Sequence, residues 1–244
     1  MSIFGIADLH LSFSTDKPMD VFGPSWENHA ARIEENWRGK ITPSDTVLIP
    51  GDISWGISLD EALADLKFID SLPGTKILSK GNHDYWWGTT KKVEDFLASN
   101  DLRSIRILKN NGYCVEDTLI AGARGWLVPE NPEYGTDDER IYLREVGRLE
   151  RSLKDSEAAF IQVQEALGKD TSPKRRIAML HYPPIYDPKR DNELTSALEK
   201  HGVDICLYGH LHGRAHKNAF EGVRNGVEYR LISADYLKFD PVEI

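Results

Sequence analysis

The sequence predicts an α/β fold with two sheet halves in one domain covering residues 1–244. Short apolar runs alternate with amphipathic stretches through the first 108 residues, the pattern of βαβ units and a parallel sheet. From residue 110 the rhythm breaks into two short runs about a tight turn, and a strand–helix–strand pattern then returns. A third observation places function on this fold. Five predicted strands end in polar residues, at the C-terminal edge where open α/β sheets hold their ligands. The length suits one large domain or two small ones, and the absence of a linker, low-complexity tract or fixed-period repeat makes one the simplest organisation.

Residues 3–7 are a short apolar strand ending in Asp8-Leu9-His10. Residues 11–24, rich in Ser, Asp, Gly and Pro, read as a loop, and Ser25 is placed to cap a helix running to about Arg38. The second strand, 46–49, ends in Pro50-Gly51-Asp52. Ser58-Leu59-Asp60-Glu61 has capping-box spacing, and the stripe Leu63, Leu66, Ile69 continues a helix until Pro73-Gly74 stops it. The third strand, 75–78, leads into Gly81-Asn82-His83-Asp84. A helix over 89–99 and a strand over 105–108 complete the first half.

Runs at 112–115 and 118–121, separated by Glu116-Asp117, form a hairpin. Residues 124–135, with two prolines, two glycines and Trp126, read as a long surface loop. Thr136-Asp137-Asp138-Glu139 is a second capping box, opening a charged helix whose stripe is Leu143, Val146, Leu149 and Leu153 and whose end is Gly168. This loop and helix form an insertion at about 124–170. A strand over 176–180 then ends in His181, a helix covers 193–201, and a strand over 204–208 ends in Gly209-His210-Leu211-His212-Gly213. Residues 228–233, and 237 onward, supply final antiparallel strands.

Composition sets the outer bounds. With 39 acidic and 30 basic residues the formal net charge is −9, which argues against extended nucleic acid or a membrane surface as partner. It leaves phosphate chemistry open, because a bound metal adds positive charge that a residue count misses. The two cysteines, Cys114 and Cys206, lie in apolar runs and imply no disulfide framework. No basic-then-apolar leader and no run near the roughly 20 residues of a membrane span is present. The expected compartment is the cytoplasm.

Five of the eight histidines sit at the strand ends, together with two carboxylates and an amide: Asp8, His10, Asp52, Asn82 with His83, His181, His210 and His212. In Asp8-Leu9-His10 and His210-Leu211-His212 the polar residues are two apart, so an extended backbone turns both to one side and the leucine to the core. Carboxylate, imidazole and amide oxygen without thiolate suit Mn, Fe, Zn or Ni in a reactive site. Seven ligands exceed one tetrahedral ion. Two ions about 3.5–4 Å apart would use them all, and such pairs serve displacement at phosphorus.

In this order, Asp8-x-His10, Gly51-Asp52, Gly81-Asn82-His83-Asp84, His181 and Gly209-His210-x-His212 resemble the full motif series of the calcineurin-like metallophosphoesterases, spanning residues 8 to 212. The resemblance implies a four-layer sandwich of two mixed β-sheets flanked by helices, with a dinuclear metal centre at the strand edges. It implies that Asp8, His10 and His212 hold one ion, Asn82, His181 and His210 the other, and that Asp52 bridges. His83 would face the leaving group, held by Asp84, and a hydroxide shared by the ions would be the nucleophile. Many members carry an acid three residues after the bridging Asp, where this chain has Trp55, so support around the ligands is expected to differ.

Trp55, Trp86 and Trp87 follow these motifs and are candidates either for cleft walls or for loop packing. Arg124 is a candidate phosphate ligand, or else the partner of an acid on the helix that follows. His29, in a helical stretch, reads as an ordinary histidine. The expected activity is hydrolysis of a phosphomonoester or phosphodiester. The rival is a catalytically silent metal-binding scaffold on the same fold. A nuclease is disfavoured by the charge balance, although short nucleotides stay open as substrates.

Overall fold

In the computed structural model, which describes residues 1–169 and 171–244, the elements follow in order. They are β1 (Ile3–Gly5), α1 (His29–Lys40), β2 (Thr46–Pro50), α2 (Leu59–Ser71), β3 (Thr75–Ser79), α3 (Thr90–Ser99), β4 (Ile105–Ile107), β5 (Tyr113–Val115), β6 (Thr118–Ala123), α4 (Asp138–Leu167), β7 (Arg175–Leu180), α5 (Glu193–Lys200), β8 (Ile205–Tyr208), β9 (Gly222–Arg224), β10 (Val227–Leu231) and β11 (Val242–Glu243). They form two sheets, ordered β11-β1-β2-β3-β4 and β5-β6-β7-β8-β10-β9. Both are mixed. β1 to β4 run parallel with β11 antiparallel at the edge, and β6, β7, β8 and β10 run parallel between antiparallel β5 and β9.

Alternation along the strands explains the layering. In β2, Leu48 enters the cluster between the sheets while Val47 and Ile49 join the cluster under α1 to α3. In β7, Ile177 and Met179 face the first sheet while Ala178 and Leu180 face the second sheet's helices, and in β8 Ile205 and Leu207 do the same opposite Cys206 and Tyr208. A strand apolar on both faces must be covered on both, which gives helix, sheet, sheet, helix. Each fully buried aliphatic side chain contributes about 1.5–3 kcal/mol relative to exposure.

Several local expectations are met. Ser58 caps α2 by accepting from the Glu61 amide, Gly168 ends α4 in a left-handed conformation, and the helix expected over 89–99 forms with Thr89 as its cap, accepting from the Lys92 amide. The Glu61 carboxylate closes its box one residue early, on the Ile57 amide at 2.7 Å. α2 also has a cap that apolar patterning hides. Lys76 is fully buried within β3, and its ammonium donates to the carbonyls of Leu72 and Gly74 at 2.5 and 2.9 Å, a cation on a helix C-terminus. Burial lowers it to about 8.

Four expectations are corrected. Ser25 does not cap a helix: two 3-10 turns, Met19–Phe22 and Pro24–Trp26, come first, and α1 begins only after left-handed Asn28. The cause is Trp26, which turns into the core against Phe239 and the ring of His10. The box at Thr136 does not form, because Asp138 instead accepts from the Trp126 indole and the Gly135 amide, both at 2.8 Å, and so pins the preceding loop. On α4, Leu143 is exposed, and the buried face runs Tyr142, Glu145, Leu149, Ser152, Leu153, Ser156, Phe160. This helix covers β5 and β6 as part of an outer layer. Finally, β10 pairs parallel to β8, not antiparallel. The boundary expected at residue 170 lies outside the described residues.

Candidate metal centre

All seven expected ligands lie in the turns that follow β1, β2, β3, β7 and β8, at the C-terminal ends of strands from both sheets. The turns are tight. Asp8, His10, Asp52 and His210 have φ of 60°, 46°, 51° and 73°, left-handed backbone that costs a non-glycine residue about 1–2 kcal/mol. The expectation that Asp8/His10 and His210/His212 converge through extended backbone is therefore corrected. Left-handed backbone at Asp8, His10 and His210 draws them together while His212 itself stays extended, and strain of this kind collects at functional sites. Two glycines let the turns interlock. A Cβ on Gly81 would collide with the Asp52 amide and carboxylate, and one on Gly209 with the Asp8 carboxylate.

The ligand atoms crowd one another. His10 Nε2 lies 3.2 Å from His212 Nε2. His181 Nε2 lies 2.6 Å from Asn82 Oδ1, and His210 Nδ1 lies 2.9 Å from that oxygen and 3.2 Å from His181 Nε2. Asp52 Oδ2 stands between the two sets, 3.8 Å from His10 Nε2 and 3.4 Å from His181 Nε2. Asp8 adds a carboxylate oxygen 3.6 Å from His181 Nδ1 and 3.9 Å from His212 Nε2. Two groups able to hold an ion result: Asp8 with His10 and His212, and Asp8 with Asp52 and His181. The first reproduces the expected trio. The second adds Asp8 to a set expected to consist of Asn82, His181, His210 and Asp52.

Protonation explains why this crowding calls for cations. His181 Nδ1 donates to the Pro50 carbonyl at 3.1 Å, so Nε2 carries a lone pair and faces the lone pairs of Asn82 Oδ1. Burial lowers His181 to about 3 and His210 to about 2, and lowers His10 as well. Neutral imidazoles with converging lone pairs repel unless a cation lies among them. Burial also raises Asp52, and it raises Asp8 to about 8 against the pull of His212. The raised carboxyls and neutral imidazoles together fit a site that exchanges protons for metal.

His83 sits beside this set, its ring centroid 5.7 Å from that of His10 and 4.5 Å from that of Trp55. Its amide donates to Asp52 Oδ1 at 2.8 Å, while its Nδ1 has no hydrogen-bond partner among the described residues. The expected Asp84–His83 hydrogen bond is corrected. Asp84 is fully buried, and its oxygens accept from the amides of Gly81, Asp52, Ile53 and Ser54 at 2.8–3.2 Å and from the Trp86 indole at 3.1 Å. These donors take up its lone pairs, so Asp84 ties the Asp52 turn to the Gly81 turn. Burial and Asp52 raise it to about 7 against the pull of those amides.

Of the three tryptophans only Trp55 borders the ligands, stacked on His10 at 5.1 Å and 23°. Trp86 and Trp87 are buried against each other as loop packing. Arg124 is not brought to the ligand atoms. Its guanidinium lies over Trp126 at 4.5 Å and 3.8 Å from Glu145, while its carbonyl accepts from the amides of His181 and Tyr182.

Sequence reasoning missed two carboxylates. Asp235 accepts from His212 Nδ1 at 2.9 Å and from the Gly213 amide at 3.0 Å, orienting a ligand imidazole as carboxylates do beside metals. It follows β10, so the strand-end rule that located the other ligands also points to it. Asp65, buried on α2, accepts from the Ser54 hydroxyl and from the Phe13 amide, and thereby holds the turn where other members place an acid.

No curated protein matches the chain. Among solved structures, a phosphopantetheinyl hydrolase from Mycobacterium tuberculosis superposes with TM-score 0.51 at 12% identity, covering 100% of this chain and 95% of that one. A protein of unknown function from Aquifex aeolicus gives 0.47 at 15% identity over 99% and 95%, and a Thermus thermophilus protein 0.48 at 11% over 86% and 81%. The first of these likenesses concerns the fold alone. The profile of the calcineurin-like phosphoesterases, by contrast, matches residues 1–214, from β1 through the last ligand turn. With that match and the ligand atoms drawn together as described, the chain belongs to the calcineurin-like phosphoesterase family.

Proposed function

We propose that the chain is a dinuclear-metal-dependent hydrolase of phosphate esters, acting on phosphomonoesters or phosphodiesters. The observation that carries this reading is the pair of ligand-atom clusters, His10/His212 and Asn82/His181/His210, with the Asp52 carboxylate between them. Asp8, His10 and His212 would hold one ion and Asn82, His181 and His210 the other, with Asp52 shared and Mn, Fe, Zn or Ni suited to the donors. When bound, such ions offset charge on phosphoryl oxygens and acidify the water that attacks phosphorus.

The chain's own groups do the rest. His83, half-buried beside the ligands, would give a proton to the departing oxygen. Trp55 fixes the faces of His10 and His83, Asp235 fixes His212, and Asp84 keeps the two central turns in register. The family match ends at residue 214, yet β10, β11 and Asp235 from the remaining segment complete both sheets and the site, which supports one domain over residues 1–244. Cys114 and Cys206 are unpaired, in keeping with the cytoplasm as the proposed compartment. Among the described residues no helix is long and apolar enough to cross a membrane.

The test is hydrolysis of p-nitrophenyl phosphate and bis-p-nitrophenyl phosphate with Mn, Fe, Zn and Ni, alongside elemental analysis of purified protein. Turnover that requires metal, and that Asp52→Asn abolishes, is expected. Tight metal binding without turnover of either ester under any metal would favour the silent scaffold.

A further inference from the structure

Next to the metal centre lies a polar enclosure of opposite character. A cavity of about 230 Å³ is lined by Lys80, Lys109, Arg124, Arg144 and Arg148, with Glu145 as the one carboxylate on its wall. In a chain of net charge −9, five cations about one small cavity cannot be an effect of composition. The fold gathers them from four places. Lys80 follows β3, Lys109 lies beyond β4, Arg124 follows β6, and Arg144 and Arg148 stand one turn apart on α4.

One carboxylate does not neutralise this set. Glu145 is fully buried, 2.6 Å from Arg148 Nη1 and 3.8 Å from Arg124 Nη2. The ammonium groups of Lys109 and Lys80 reach backbone carbonyls, Gly88 at 3.2 Å and Trp87 at 3.5 Å. Arg124 Nε is buried without a hydrogen-bond partner among the described residues. Burial and the nearby Arg148 both depress the Lys109 ammonium. Cations held together for stability would be interleaved with acids; here the repulsion persists, and an anion relieves it.

Two of the lining residues, Lys80 and Arg124, connect through the backbone to segments that carry expected ligands. The Arg124 carbonyl accepts from the His181 and Tyr182 amides at 2.9 and 3.0 Å, and Lys80 stands two residues before Asn82. β6 and β7 are neighbours in their sheet, so the basic groups begin one or two strand spacings, about 5–10 Å, from a ligand imidazole.

Building on the phosphoesterase reading above, we propose that this cavity is a subsite for a second phosphoryl group of the substrate. The substrate then carries at least two phosphates, one at the metal centre and the other among Lys109, Arg124, Arg144 and Arg148. The guanidinium groups offer paired donors to phosphate oxygens, and the lysine a point charge. An ester with a single phosphate engages only the metal centre.

The double variant Lys109→Gln/Arg144→Gln tests this, since neither side chain bonds Glu145 or a metal ligand. Pyrophosphate binding to metal-stripped protein, measured by calorimetry, is expected to weaken about tenfold or more, the size of one lost charge-assisted contact. With metal present, kcat/KM for a nucleoside 3′,5′-bisphosphate relative to that for p-nitrophenyl phosphate is expected to fall by a similar factor. Equal pyrophosphate affinity in wild type and variant would overturn the site. Weakened pyrophosphate binding with an unchanged substrate ratio would show a free-anion site and overturn the assignment to substrate. Intact pyrophosphate binding by wild type with no ester hydrolysis under any metal would sink the phosphoesterase reading instead, and the substrate assignment with it, while the anion site stood.

Discussion

The metal centre and the basic cavity lie side by side along one edge of the sandwich and have opposite shortages. In the centre, acceptors meet acceptors: neutral imidazoles, an amide oxygen and carboxylates within 4 Å of each other, with few donors to relieve them. In the cavity, donors meet donors, and one buried glutamate serves five cations. Net charge describes neither place. Each enclosure is unbalanced by itself, and their imbalances are complementary to the two parts of one ligand system, cations on one side and phosphoryl oxygens on the other.

His83 marks the border of the acceptor set, and replacing it gives the largest expected effect outside the ligands themselves. His83→Asn is expected to lower kcat about 10²–10⁴-fold, the range for loss of a proton-transfer group, with metal content by elemental analysis unchanged. A fall in metal content would place His83 among the ligands and redraw the boundary. Asp235→Asn sharpens the same comparison from outside the centre. Metal affinity is expected to drop about 10–100-fold, as for other carboxylates that orient ligand histidines. Unchanged affinity by metal-buffered titration would make Asp235 a purely structural partner of Gly213.

The smallest expected effect is a dependence on pH. Asp8, raised to about 8 in the metal-free fold from a normal value of 3.8, stabilises the fold at low pH, and that contribution is lost as pH rises from 3.8 through 8. His181 and His210, lowered to about 3 and 2, contribute fully above 6.5 and lose their contribution as pH falls below it. Between pH 6.5 and 8 the raised groups, Asp8 and His212, both lose their contributions, so metal-free protein weakens as pH rises. A bound ion displaces these protons, and the gain in Tm on adding Mn is expected to grow from pH 6.5 to 8. A gain that stayed flat or shrank would contradict an acidic proton held in the centre.

The ligand turns were legible in the sequence because five apolar strands all end in Asp, Asn or His, a concentration that unrelated polar loop residues do not account for. The layers were legible because β2, β7 and β8 are apolar on both faces. The left-handed backbone at Asp8, His10 and His210 was not, since spacing two apart suits both an extended strand and a reversal of hand, and only the packing of adjacent turns selects one. Asp84 was misread for a related reason: a carboxylate beside a histidine in sequence is easily assigned to it, whereas four amides from two turns reach it first. The basic cavity was invisible. Lys80, Lys109, Arg124, Arg144 and Arg148 are spread over nearly seventy residues and look like ordinary surface charge until β4, β6 and α4 bring them together.

The pairing of β1 with β11, Phe4 opposite Glu243, bears on when the site comes into being. Asp8 and His10 leave the ribosome early, but the strand that flanks β1 and the carboxylate that steadies His212 are made more than 220 residues later. At synthesis rates of about 5–20 residues per second, the first ligands wait on the order of ten seconds or more for their partners. Contacts so distant along the chain also make closure of the sheets slow. The candidate ligand set, with the carboxylate that steadies it, is thus complete only late in the synthesis of the chain.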